Sequence, residues 1–368
     1  MLTAKKRYEF EPDYAIAPGE TLKETMESLD MGQKELAVRT GLTVQTLNRV
    51  MKGDQPISYE TANKLELATG VPARFWNNLE AQYREQLAKI KERKQLESDL
   101  DWLKTIPTSE LIQRKAIEPA KDSIQLLRET LKFYGVSSVR AYKELWMEPA
   151  VAARRSQCFE TCPGPASAWI RMGQIQAHQI HCQSYDKSRF KKALDAIRQM
   201  TLKDPEAFIP EMAWLCADAG VAVVFVPEMK KVPWHGATQW LSASKAMILL
   251  NLRGKMEDQF WFSFFHEAGH VLNDGKKDIY INDGSSDNPH ERKADEFAAE
   301  ILIPKNRNAE IAAFRSKVQV VDLANELNLS PGIVAGRYQR LTGKWDLFNG
   351  LKQRFQWSGT SDLHGNDA

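Results

Sequence analysis

Two histidines four residues apart, His266 and His270, flank a glutamate in the stretch FFHEAGHVLND, residues 264–274. On an α-helix, residues i and i+4 share a face one turn apart, so both imidazoles can address one cation about 2 Å away. Glu267 stands one step round the helix, in reach of a water on that cation without binding the cation itself. This H-E-x-x-H spacing belongs to metal-assisted amide hydrolysis, with Glu267 as general base. A site of this kind needs a third protein ligand. Glu291 opens the stretch ERKAD 21 residues after His270, where a following helix can return antiparallel. Asp295, one turn further on the same face, is placed to orient a ligand histidine. Zinc is the expected metal, with another divalent ion as the alternative. Reading both histidines as ordinary core residues would bury two imidazoles around a buried carboxylate, which is costly without a cation.

The surrounding segments show which elements must position these groups. AGVAVVFVP (219–227) and KAMILLNLR (245–253) are short apolar, β-branched runs that suit strands. The aromatic run and HEAGH form a helix, followed by a polar loop, NDGKKDIYINDGSSDNPH (273–290). A second helix then carries Ala294, Phe297, Ala298 and Ile301 at helical spacing and stops at Pro304. Strands followed by two helices across a long loop predict an α+β domain.

A second constellation lies near the start. After an irregular lead-in and Pro18-Gly19, a first helix places Leu22, Met26 and Leu29 on one face. QKELAVRTGLTVQTLNRVMKG then reads as helix, turn, helix. Leu36 and Ala37 point inward, Gly41 allows the turn, Leu42 plugs beneath it, and Thr43 caps a helix bearing Leu47 and Val50. Ser58 caps a fourth helix, and Pro72 starts a fifth that runs through Trp76, Leu79 and Ile90. Residues 322–340, DLANELNLSPGIVAGRYQR, echo the helix-turn-helix pattern at Ala324, Leu329 and Val334, with Asn328 in place of the turn glycine and Arg337 in place of Val50. They predict a helical hairpin packed on the C-terminal domain rather than a second DNA reader.

Composition sets the outer limits. The chain has 368 residues, 43% hydrophobic and 27% charged, a globular balance with room for two or three domains. A net charge of +2 excludes nucleic-acid binding by bulk charge alone. Residues 1–80 hold 10 Lys/Arg against 12 Asp/Glu, yet within 33–52 Lys34, Arg39, Arg49 and Lys52 face only Glu35. No apolar run is long enough to span a membrane and no signal-peptide core opens the chain, so a cytoplasmic location without membrane association is expected. Cys158, Cys162, Cys182 and Cys216 form no CxxC pair and read as free thiols. A metal site built from Cys158, Cys162, His178, His181 and Cys182 fits no common zinc spacing. The expected organisation is 1–95 for the first module, 96–205 for a helical middle region, 206–357 for the α+β domain, and 358–368 for a disordered tail. Between 140 and 203 the middle region carries 11 Lys/Arg against 5 Asp/Glu, which suits a solvated basic face.

These motifs carry a family resemblance running from about 17 to 357. Residues 206–304 resemble the ImmA/IrrE metallopeptidases, whose pattern H-E-x-G-H followed by E-x-x-A-(N/D)-x-F-A corresponds to HEAGH and ERKADEFAA, with GATQWL and FWFSFFHE also similar. The N-terminal helices resemble the Cro/repressor type found in HigA-like antitoxins. The resemblance implies a mainly α N-terminal half and a zincin-like α+β C-terminal domain. It implies a gluzincin-like site with His266, His270 and Glu291 on zinc and Glu267 as general base. Tyr280, His235 and His290 are the candidates for stabilising the transition state. It also implies that Gln45, Thr46 and Arg49 face the major groove, with Gln33 and Lys52 near phosphates and Thr43 also among the DNA-binding residues. The function so implied is an antitoxin-like regulator that binds operator DNA as a homodimer and cleaves or senses a protein partner, a toxin or a repressor. The alternative is a binding-only antitoxin whose metal domain is a scaffold or toxin clamp.

Overall fold

The computed structural model describes residues 13–147, 162–275, 279–282 and 289–357. The chain divides into two compact units, Met1–Leu100 and Asp101–Ala368. Residues 358–368, expected to be a disordered tail, and Cys158 lie outside the described residues.

The first unit is all helix: α1 Pro18–Ser28, α2 Gln33–Thr40, α3 Val44–Met51, α4 Tyr59–Thr69 and α5 Ala73–Ser98. Leu22, Leu36, Leu47, Ala62, Leu65 and Trp76 are fully buried and form its core. The turn between α2 and α3 follows from three residues. Gly41 takes the left-handed conformation that ends α2 (φ 67°), Leu42 packs on the core, and the Thr43 hydroxyl accepts the Thr46 amide. Leu29, predicted on the inner face of α1, is instead exposed. The helix has already ended there, and left-handed Asp30 folds the chain back so that Met31 donates its amide to the Met26 carbonyl and takes the buried place.

The second unit joins a small sheet to many helices. Its elements are α6 Thr108–Gln113, α7 Ser123–Tyr134, α8 Val139–Met147, α9 Pro163–Gln179, α10 Lys187–Arg198, α11 Pro205–Asp218, β1 Val221–Phe225, β2 Gly236–Ser242, β3 Lys245–Leu250, α12 Glu257–Asn273, β4 Ile279–Asn282, α13 Pro289–Leu302, α14 Asn308–Ala312, α15 Lys317–Leu327 and α16 Pro331–Thr342. The strand order is β1-β3-β2-β4, with β1 parallel to β3 and β2 antiparallel to both β3 and β4. β3 is apolar on both faces because both are covered. Ala246, Ile248 and Leu250 enter the main core with α10, α11 and α12, while Leu249 packs against Gly173 of α9. The helical stretch before residue 205 therefore belongs to the same compact unit as the sheet. The segment 273–290, expected to be a loop, contains β4. Its IYIN backbone pairs with Gly236–Gln239 of β2, an element that only the register of the sheet makes visible.

The C-terminal echo of the helix-turn-helix is structural as well as sequential. Left-handed Asn328, buried Leu329 and the capping hydroxyl of Ser330 repeat the roles of Gly41, Leu42 and Thr43. The second helix of this copy, however, turns its face inward. Gly332 and Gly336 of α16 lie against Glu257 and Asp258, at the start of α12. That start is tied down by a buried polar network. Ser330 donates to Glu257 Oε2 at 2.7 Å and the Gln353 amide to Glu257 Oε1 at 2.9 Å. Lys352 Nζ lies 2.7 Å from Asp258 Oδ2 and donates to Gln339 at 2.6 Å. Removing one partner from a buried ion pair leaves a charge uncompensated. Lys352→Ala is therefore expected to destabilise this unit by about 3–5 kcal/mol in urea titration followed by tryptophan fluorescence. An unchanged midpoint would show that the pair does not hold the start of α12.

Candidate metal centre and nucleic-acid face

Helix α12 brings His266, Glu267 and His270 to one buried level, and α13 brings Glu291 and Asp295 against it. The glycine of HEAGH explains how the two helices come so close. A Cβ on Gly269 would lie 3.1 Å from Ala294 Cα and 3.2 Å from a ring carbon of Phe297, so a side chain there pushes α13 outward. At this spacing the ligand atoms of His266, His270 and Glu291 all fall within 4.8 Å of one another.

The two Nε2 atoms are 3.1 Å apart. Glu291 spans them, with Oε2 at 3.0 Å from His266 Nε2 and Oε1 at 3.3 Å from His270 Nε2. Each ring is turned by a carboxylate on its other nitrogen. His266 Nδ1 meets Asp295 Oδ1 at 2.8 Å, and His270 Nδ1 meets Asp274 Oδ2 at 2.6 Å. With Nδ1 carrying the proton, a neutral ring aims its Nε2 lone pair at its neighbour. Two nitrogen lone pairs and a carboxylate would then face one another at contact distance, an arrangement that a positive charge between them relieves. Two imidazole nitrogens on one tetrahedral zinc lie about 3.3 Å apart, close to the spacing here.

The surrounding carboxylates favour positive charge at this point. Burial alone would lower both imidazoles, but the Asp295 and Glu291 carboxylates hold His266 above its ordinary value, and Asp274 and Glu291 do the same for His270. Burial would likewise raise Glu291, yet its bonds to the two histidines hold it down at about 2. Burial pushes Glu267 up to about 7, against the lowering pull of His266, His270 and Thr238.

Glu267 itself is fully buried and half satisfied. The Thr238 hydroxyl of β2 donates to Glu267 Oε2 at 2.7 Å and lies 3.0 Å from the Glu267 backbone carbonyl. Among the described residues Oε1 has no hydrogen-bond partner. Gly236 leaves the room beside it, since a Cβ there would lie 2.6 Å from Oε1. A buried carboxylate oxygen without a partner is expensive, which suits a site that takes a further ligand. The residues present fit a divalent metal with two imidazoles, one carboxylate and a base.

Three residues of this site were not singled out by spacing. Asp274 lies one turn beyond His270 in HEAGHVLND, so its signal was present in the same helix. It accepts from His270 through one oxygen and pairs with His290 Nδ1 through the other. His290, a candidate for the transition state, is thus turned toward Asp274. Thr238 and Gly236 carry no local signal and depend on the register of β2. His235 lines a recess with Asn251, Arg253 and Ser263, where burial and the Arg253 charge lower its imidazole. For Tyr280 the described feature is its backbone, paired with Thr238.

On the other unit, α3 leaves Gln45, Arg49 and Lys52 exposed. Thr43 and Thr46 join hydroxyls at 2.9 Å in the helix cap. Gln33, expected near phosphates, donates to Asn48 at 2.8 Å. Arg39 is held by Glu35, which leaves Lys34, Arg49 and Lys52 as the positive groups of this segment without an acidic partner there.

Comparison with known proteins adds the family of each part. The helix-turn-helix family profile matches residues 22–76, and that of the IrrE N-terminal-like domain, Peptidase_M78, matches residues 216–339. The chain thus joins a helix-turn-helix domain to an IrrE/ImmA-like peptidase domain. Among solved structures, an addiction module antidote protein of a HigA family from Coxiella burnetii is 30% identical, covering 23% of this chain and 92% of its own, with a TM-score of 0.22. A putative antidote protein of a plasmid maintenance system from Nostoc punctiforme is 27% identical with the same coverage and a TM-score of 0.22. No curated protein matches the chain.

Losing a carboxylate that orients a metal-bound histidine typically lowers metal affinity about 10–100-fold. Asp274→Ala is expected to do so in competition against a chromophoric chelator, with Asp274→Asn intermediate. Gly269→Val should weaken the site at least as much by separating the helices. Equal zinc affinity in all three variants and the wild type would contradict this account of the site.

Proposed function

We propose that the chain is a DNA-binding regulator whose C-terminal domain is a zinc-dependent peptidase acting on a protein partner. The observation that carries the peptidase reading is the unpartnered Oε1 of the buried Glu267, beside two converging imidazoles and one carboxylate. His266, His270 and Glu291 would hold the zinc, which when bound supplies Lewis acidity and a more acidic water. Thr238 fixes one oxygen of Glu267 and leaves the other to take a proton from the attacking water. The same carboxyl then returns that proton to the leaving nitrogen. A carboxylate raised toward neutrality by burial suits both halves of this exchange.

The helix-turn-helix domain supplies the address, with Arg49 toward bases and Lys52 toward phosphate. Because one short recognition helix reads few bases, the protein acts as a homodimer on a repeated site. Among the described residues no helix is long and apolar enough to cross a membrane, and the proposed setting is the cytoplasm, as an antitoxin that represses its own operon. One observation favours a second reading, a binding-only antitoxin. His266, Glu267 and His270 are at most 1% exposed, so a substrate needs the site to open first.

Two substitutions separate the readings. Glu267→Gln should keep the zinc and abolish turnover, whereas His266→Ala should lose the metal outright. The readouts are metal content beside the partner's lifetime and a reporter of the chain's own promoter. An emptied site with neither readout altered would favour the binding-only antitoxin. On the DNA side, Arg49→Ala should weaken operator binding by about 1–3 kcal/mol and relax specificity at one position. Lys52→Ala should weaken binding evenly across sequences and flatten its salt dependence. A gel-shift titration in which neither changes affinity would remove the DNA reading.

A further inference from the structure

Asn48 stands on the exposed face of α3 beside Arg49, and its side chain is already engaged. Gln33 Nε2 donates to Asn48 Oδ1 at 2.8 Å and to the Met51 sulfur at 3.8 Å. A thioether sulfur accepts and never donates, so the nitrogen end of the Gln33 amide faces this pair. Asn48 must then meet Gln33 with its oxygen and turn its NH2 group outward. Among the described residues nothing takes those two hydrogens.

An unconstrained asparagine in the major groove reads adenine with both ends of its amide, donating to N7 and accepting from N6. Here the accepting end is occupied. Resting on the DNA-binding reading of this domain, we propose that Asn48 is a specificity-determining residue set by Gln33 to donate only, so that it selects guanine over adenine and rejects cytosine. Guanine offers two acceptors, N7 and O6, to the two amide hydrogens. Cytosine offers a donor, N4, which meets a donor and is refused. The preference is therefore held by a residue of α2 that contacts no base.

The test selects bound duplexes from a random-sequence DNA library with the full-length protein and sequences them. Asn48→Ala marks the position that Asn48 reads; Asn48 is exposed and Gln33 half-buried, and neither belongs to the apolar core. Wild type should prefer guanine there. Gln33→Met frees the asparagine oxygen and should shift the preference to adenine, by about five- to hundredfold. Asn48→Asp still accepts from Gln33, presents a second acceptor outward and should shift the preference to cytosine. A wild-type preference for adenine, or one that Gln33→Met and Asn48→Asp leave unchanged, overturns the inference while leaving DNA binding intact. If wild type enriches no sequence at all, the DNA reading fails together with it.

Discussion

The close crossing of α12 and α13 at Gly269 is the contact on which the candidate metal centre depends. Glu291 is useful only if its carboxylate reaches across to two histidines on another helix, and helices with ordinary side chains at the crossing stand about 8–10 Å apart or more. Gly269 against Ala294 lets the backbones approach, and the charges then lock the approach. Asp295 on α13 holds His266 on α12, while Asp274 at the end of α12 holds both His270 and His290, the latter on α13. Each helix thus grips a histidine of the other, and the ligands cannot drift apart without breaking both grips.

This arrangement concentrates ionisable groups where water is absent, which is unfavourable unless every charge has a counterpart. His266, His270 and Glu291 converge on one point, where a cation would satisfy all three, and Asp295 and Asp274 satisfy the outer nitrogens. Glu267 breaks the pattern, since one of its oxygens has no partner among the described residues. Structures retain such unsatisfied groups where a reaction or a ligand needs them. The far end of α12 is fixed by different means. The inward-turned copy of the helix-turn-helix packs small residues on Glu257 and Asp258, and Lys352 closes the network. The histidines therefore sit on a helix anchored at its beginning by packing and ion pairs and at its end by their own ligand network.

Much of this was legible in the amino-acid order, for a physical reason. The residues His266, Glu267, His270, Glu291 and Asp295 sit at helical spacings, and a helix converts spacing into direction without help from distant segments. The turn at Gly41 and the cap at Thr43 are equally local. What the sequence concealed depends on register between distant segments. Thr238 meets Glu267 because β2 lies beside β3, and β4 looked like a polar loop because its partner strand lies some forty residues earlier. The turning of Gln33 toward Asn48 joins two helices across the turn, which a face-by-face reading of each helix does not reveal. Asp274 differs from these, because its i+4 spacing from His270 is local and lies in the same stretch as the two histidines.

The central claim is that His266, His270 and Glu291 hold a zinc with a place left for water, beside a base that accepts its proton. X-ray absorption at the zinc edge of the purified full-length protein tests it most directly. The account predicts one zinc per chain with two imidazole nitrogens at about 2.0–2.1 Å and an oxygen shell that includes exchangeable water. A protein that purifies without zinc and does not take it up, or one whose zinc is closed by four protein ligands, would contradict it.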